Sequence, residues 1–156
     1  MRIITNEQIV ALIEQAGQSE RKRVIFRLHE HEEQIQRMVN ALVPGTYVPP
    51  HKHVNPHKLE LVSILVGRVA IVRFDDDGEI TEIHILDEDG PEKVADIAPG
   101  EYHSAVALMP SAILEIVPGP YVEETHKKFA DFAPLEDDPG AAEYLRELEK
   151  RVKGIA

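Results

Sequence analysis

The chain has 156 residues, enough for one domain around one core. Its formal charge of −11 and pI near 5.1 make nucleic acid and anionic membrane poor partners, and no apolar run approaches the roughly 20 residues a bilayer-spanning helix needs. With no cysteine, a disulfide framework, thiolate ligands and a cysteine nucleophile are excluded. The N-terminus, MRIITNEQIVALIEQ, lacks the layout of a signal peptide because Asn6, Glu7, Gln8 and Glu14 interrupt it, so a cytoplasmic location is expected.

Taken in order, residues 5–16 read as a helix. Thr5 and Gln8 have capping-box spacing, Ile9, Leu12, Ile13 and Ala16 recur at helical intervals, and Gly17 is a natural stop. Arg21–Leu28 is β-branched and reads as a strand, His29–Glu33 as a polar, solvated turn, and Gln34–Val43 as a strand by its alternation. Leu59–Val66 and Arg68–Phe74 are strands separated by Gly67, and Asp75–Gly78 is a hairpin turn into Glu79–Leu86. Val94–Ala98, His103–Leu108 and Ala112–Val117 complete the strands. Residues 123–138 look irregular and are expected to pack over the strands. Asp138 and Pro139 then open a final helix whose apolar stripe is Tyr144, Leu145, Leu148 and Val152. Eight to ten short strands with Gly, Pro and Asp turns predict an all-β sandwich or barrel.

The chemistry concentrates in Gly45–Gly67, GTYVPPHKHVNPHKLELVSILVG. His51 and His53, two apart, share one face of a strand. His57 and Glu60 follow closely, and His103 stands behind the turn Pro99-Gly100. Imidazole and carboxylate together suit divalent Zn, Fe, Mn, Co, Ni or Cu. The expected ligands are His51, His53, Glu60 and His103, with His57 as an alternative to Glu60, and the third and fourth are expected from facing strands. Arg37 and Tyr102 are candidates to line the ligand pocket, since Arg37 leads into the motif and Tyr102 adjoins His103.

The pattern G-x5-H-x-H-x6-E-x6-G followed by P-G-x-x-H resembles the two-part motif of the cupin superfamily. More narrowly the chain resembles the WbuC-type cupin-fold metalloproteins, through PGTYVPPHKH, ELVSILVGRVAIVRFDDDG, IAPGEYHSAVAL and the tail with VPGPYV, KKFADFAP and DDP. That resemblance implies a jelly-roll β-barrel with a short N-terminal and a C-terminal helix and one divalent metal per chain. A single domain would span 1–156, with leading elements in 1–43, the barrel core in 44–121, and an irregular segment and helix in 122–156. Two departures stand out: six residues separate His53 from Glu60, where three or four are usual, and Ala107 stands where the second motif ends in Asn.

The resemblance implies a step on a sugar or nucleotide-sugar in surface polysaccharide synthesis, such as isomerisation or epimerisation. Glu60 or His57, whichever is not a ligand, would move the proton. A metal-dependent dioxygenase using Fe(II), a non-catalytic module for a sugar-like or anionic small ligand, and a metal-free isomerase are the alternatives. A homodimer is also expected.

Overall fold

Two five-stranded antiparallel sheets face each other, and each carries a helix on its outer side. A computed structural model describes residues 1–54 and 56–155. The chain runs α1 (Asn6–Gln18), β1 (Arg23–Arg27), β2 (Ile35–Leu42), β3 (His51–Lys52), β4 (Glu60–Val66), β5 (Arg68–Phe74), β6 (Ile80–Asp87), β7 (Val94–Ile97), β8 (Tyr102–Ala107), β9 (Ser111–Pro118), α2 (Glu123–His126), β10 (Lys128–Phe129) and α3 (Ala141–Lys153). The first sheet has the order β1-β2-β9-β4-β7 and the second β10-β3-β8-β5-β6. No strand pairing joins the two sheets among the described residues, so the expected barrel takes the form of a facing pair rather than a closed cylinder. Among the described residues no helix is long and apolar enough to cross a membrane.

Strand alternation decides which residues meet between the sheets. Val62, Ile64, Val69, Ile71, Ala107 and Ile113 fill the apolar end of the space between them. The opposite faces are also buried, because helices cover them. Ile9 of α1 packs on Val39 and Ala112 of the first sheet, while Leu148 and Val152 of α3 pack on Ala70, Val72 and Val106 of the second. This is why β2, with polar residues at alternate positions, is buried on both faces from Met38 to Leu42 except for small exposures.

The helix expected at 5–16 forms, with the capping box in place: Gln8 N–H donates to Thr5 Oγ1 and Thr5 N–H to Gln8 Oε1. It runs past Gly17 to Gln18 and is closed by the N–H of Ser19. The last helix begins at Ala141, later than expected. Asp138 instead uses its carboxylate to accept Leu135 N–H at 2.7 Å, and its carbonyl accepts Ala141 N–H. Within the segment read as irregular, a short helix and β10 form, and β10 pairs with β3 so that Phe129 lies opposite His51. His29, expected in solvent, is buried, and its Nδ1 accepts the N–H of Arg37 at 2.8 Å.

Candidate metal centre

Four side chains from three strands and one strand end meet at the polar end of the space between the sheets. His51 lies on β3 and pairs directly with His103 on β8. His53 follows β3, and Glu60 opens β4 in the facing sheet. One ligand-type atom from each of His51, His53, Glu60 and His103 lies within 4.8 Å of the others, and all four residues are buried. His103 is therefore a neighbour of His51 within one sheet, and only Glu60 comes from across.

The backbone fixes how the imidazoles point. His51 Nδ1 lies 2.9 Å from the carbonyl of Pro49, His103 Nδ1 lies 3.0 Å from that of Glu101, and His53 Nδ1 meets that of His126. A carbonyl only accepts, so each Nδ1 carries a proton and each Nε2 faces the group, where its lone pair becomes available to a cation once any proton shared with Glu60 is displaced. This is the arrangement that orients imidazoles for a metal ion. His53 Nε2 and His103 Nε2 lie 2.8 Å and 3.2 Å from Glu60 Oε2. Two ligands with bonds of about 2.1 Å at right angles around one ion stand about 3 Å apart, so these separations suit edges of a coordination shell. His51 Nε2 is buried with no partner among the described residues. An orphaned lone pair beside two other Nε2 atoms and a carboxylate fits a divalent cation, and the N3O donor set suits Mn, Fe, Co, Ni, Cu or Zn.

Electrostatics agree. Burial, with the charge of Lys127 next, holds His51 well below the usual imidazole range, so it is neutral and able to ligate. Burial opposes ionisation of Glu60, but the His103 and His53 imidazoles outweigh it and hold its carboxyl well below the ordinary range. Burial likewise opposes charge on His103, and Glu60 reverses the balance upward.

Of the other expected site residues, none joins this group. His57 is exposed and bridges to Val54, with Glu60 taking the place beside the three imidazoles. Arg37 alternates away from the inward positions of β2 and pairs with Glu33 near the surface. Tyr102 points to the far side of its sheet, where Lys52 Nζ sits 3.9 Å from the ring centroid and Phe132 packs against it. One-residue parity separates Arg37 from Met38 and Tyr102 from His103, and the side chains go to opposite faces.

A cavity of about 620 Å³ is lined by three of the four, His51, Glu60 and His103. Sequence reading missed its other polar members. Glu115, on β9, lies opposite Val62 and thus one inward position along from Glu60 on the neighbouring strand. Asn40 Nδ2 donates to Glu115 Oε2 at 2.5 Å. Burial, then repulsion from Glu60, raises the Glu115 carboxyl to about 7. His126 and Lys127 also line the cavity. The signal for Glu115 was one carboxylate inside the apolar run AILEIV; nothing local marks His126, which enters through the path of α2.

The two facing antiparallel sheets have the double-stranded β-helix fold of the cupin-fold structures they resemble. Residues 4–86 match the family described as Domain of unknown function (DUF6016), and the chain belongs to that family. Among solved structures it is similar to a conserved double-stranded β-helix protein from Klebsiella pneumoniae, with 16% identity, TM-score 0.59, and 84% of this chain and 98% of that one covered. It is also similar to an oxalate oxidase, at 12% identity and TM-score 0.57 over 88% of this chain and 76% of that one. An oxalate decarboxylase from Bacillus subtilis aligns at 18% identity and TM-score 0.50 over 62% of this chain. The chain spans about a quarter of that decarboxylase's length, 24%. No curated protein matches.

Proposed function

We propose that this chain is a divalent-metal-binding cupin that acts on a small oxygen-rich ligand, of the sugar or nucleotide-sugar kind used in surface polysaccharide synthesis. The observation that carries the metal is the shared orientation of His51, His53 and His103: three Nδ1 protons spent on backbone carbonyls, with three Nε2 atoms converging beside Glu60. When bound, the ion would supply Lewis acidity toward a carbonyl or hydroxyl oxygen. His51, His53, Glu60 and His103 would hold it.

The remaining work falls to residues of the cavity. Its size is within the range of small-ligand pockets. The apolar side chains between the sheets keep water from the inner wall. Glu60 sits inside the four-residue group and His57 outside it, so the group free to accept or return a proton is Glu115, held in place by Asn40. The sugar reading draws on the resemblance to WbuC-type cupins. An oxalate-like redox reaction is the second reading, supported by the fold shared with oxalate oxidase and decarboxylase.

The test is conversion of a panel of nucleotide-sugars, sugar acids and oxalate, followed by proton NMR on metal-loaded protein. Turnover of a sugar compound that stops with chelator supports the proposal. Turnover of oxalate alone supports the second reading. No turnover with the metal still bound would make the chain a binding module.

A further inference from the structure

The polar groups of the cavity are not all spoken for, and what they lack describes a ligand. Glu115 accepts Asn40 Nδ2 at one oxygen, Oε2, and among the described residues its other oxygen has no hydrogen bond. Asn40 Oδ1 is buried with no partner among the described residues. Both residues are more than nine-tenths buried, each at 9% exposure. Two neighbouring acceptors without donors are costly to leave alone in such a place. The group that would satisfy them is a donor.

Lys127 supplies the opposite sign. It lines the same cavity, and among the described residues it has neither an ion-pair partner nor a side-chain hydrogen bond. Its charge reaches the centre: after burial it is the strongest influence against protonation at both His51 and His126. Arg21 and Arg23, also at the cavity wall, are both committed to Glu136 at 2.7 Å, and Arg23 to the carbonyl of Tyr47 at 2.9 Å as well. Arg27 lines the wall too but is exposed. Lys127 is thus the partly buried cation left for an anionic ligand.

We propose that the cavity takes a hydroxylated carboxylate, whose anionic end meets Lys127 and whose hydroxyl donates to Glu115, with a second hydroxyl, where the ligand has one, donating to Asn40. An amine donor in place of the hydroxyl would add a positive charge to a cavity that already holds Lys127 and a proposed cation site. One hydroxyl satisfies one acceptor, and two satisfy both, without that repulsion. Sugar acids and 2-hydroxy acids have this composition. Such a ligand would occupy the cavity whose metal-dependent role is proposed above, and the site so described stands only if that role does.

The experiment is titration calorimetry with two matched pairs of probes, L-lactate against propionate and D-gluconate against hexanoate. Each pair differs in hydroxyls while keeping the carboxylate. The protein is zinc-loaded, and its metal content is measured in the same samples. At pH 8, where the Glu115 carboxyl is mostly ionised, a hydrogen bond to a charged acceptor predicts that at least one hydroxylated probe binds roughly tenfold or more tighter than its partner. Glu115→Gln should bring that preference to near one, and Lys127→Ala should weaken both members of the pair equally, with metal content unchanged in each variant. Equal binding within both pairs, no binding of any probe, or a preference that survives Glu115→Gln in a folded protein would overturn the assignment. Loss of metal from the wild type itself would instead overturn the metal-centre proposal. Lys127→Ala, at a partly exposed position, gives an independent reading should Glu115→Gln fail to fold.

Discussion

The Nδ1 of His53 is held by the backbone carbonyl of His126, 73 residues further along the chain. A candidate ligand is therefore oriented by the short turn α2 and not only by its own strand. Replacing Glu123–Lys127 with a flexible Gly-Ser linker of equal length removes the ordered turn that presents this carbonyl. Loss of such an orienting partner typically lowers metal affinity about 10–100-fold. Competition with a chromophoric chelator measures it, with circular dichroism confirming the fold. Unchanged affinity would mean that α2 does not set the His53 ring.

Glu60 and His57 compete in sequence for the fourth ligand position, and the structure sets Glu60 beside the imidazoles and His57 in solvent. Glu60→Gln keeps the shape but removes the anionic ligand, and the expected loss of affinity is roughly a hundredfold or more, beyond that of an orienting partner. His57→Ala should leave metal content and affinity as they are. The reverse outcome in the same chelator competition would assign the position to His57.

Glu115 gives the metal-free protein a pH dependence of definite sign. Its carboxyl titrates at about 7 when folded, against an ordinary value of 4.5, because burial and Glu60 disfavour its charge, with Lys127, His103 and Asn40 partly offsetting them. The folded state therefore holds this proton more tightly than the unfolded state. The contribution is fully present below about pH 4.5 and is lost as pH rises to about 7. Glu115→Gln cannot titrate, so wild type should lose stability relative to it by on the order of 3 kcal/mol across that window. Urea unfolding of both proteins at pH 5 and pH 8 checks this; a constant difference would contradict it.

Gly67 makes the turn between β4 and β5 with φ of +84°, and an added Cβ would stand 2.5 Å from both the Pro110 carbonyl and Ser111 Oγ. Left-handed strain and overpacking together predict that Gly67→Ala costs about 2–4 kcal/mol. Denaturant unfolding measures it. A cost below about 1 kcal/mol would show that the turn relaxes around the methyl group.

Much of this was legible because it is local. The capping box of Thr5 and Gln8, the Asp75–Gly78 hairpin, the short apolar runs of β4 and β5 around Gly67 and the alternation of β6 follow from patterns within a few residues. The His51, His53, Glu60 and His103 group was readable because the two-part motif places each residue at the start of a strand or just beside one. What escaped depends on the path of the chain. Arg37 and Tyr102 lie outside the cavity beside the four residues by a single step of strand parity, which no spacing argument fixes next to the Pro44-Gly45 break. His126 and Lys127 reach the cavity only because β10 pairs with β3, a contact of two-residue strands with no periodic signal. Asp138 was read as a helix cap, but its carboxylate turns back to Leu135 instead.

The central claim is that His51, His53, Glu60 and His103 hold one divalent ion. Elemental mass spectrometry on untagged wild type, His51→Ala and His103→Ala tests it most directly. The account predicts about one ion per chain in the wild type and loss of it in both variants, with the fold retained. A well-folded wild type that carries no metal, and gains none from Zn, Mn, Fe or Ni, would contradict it.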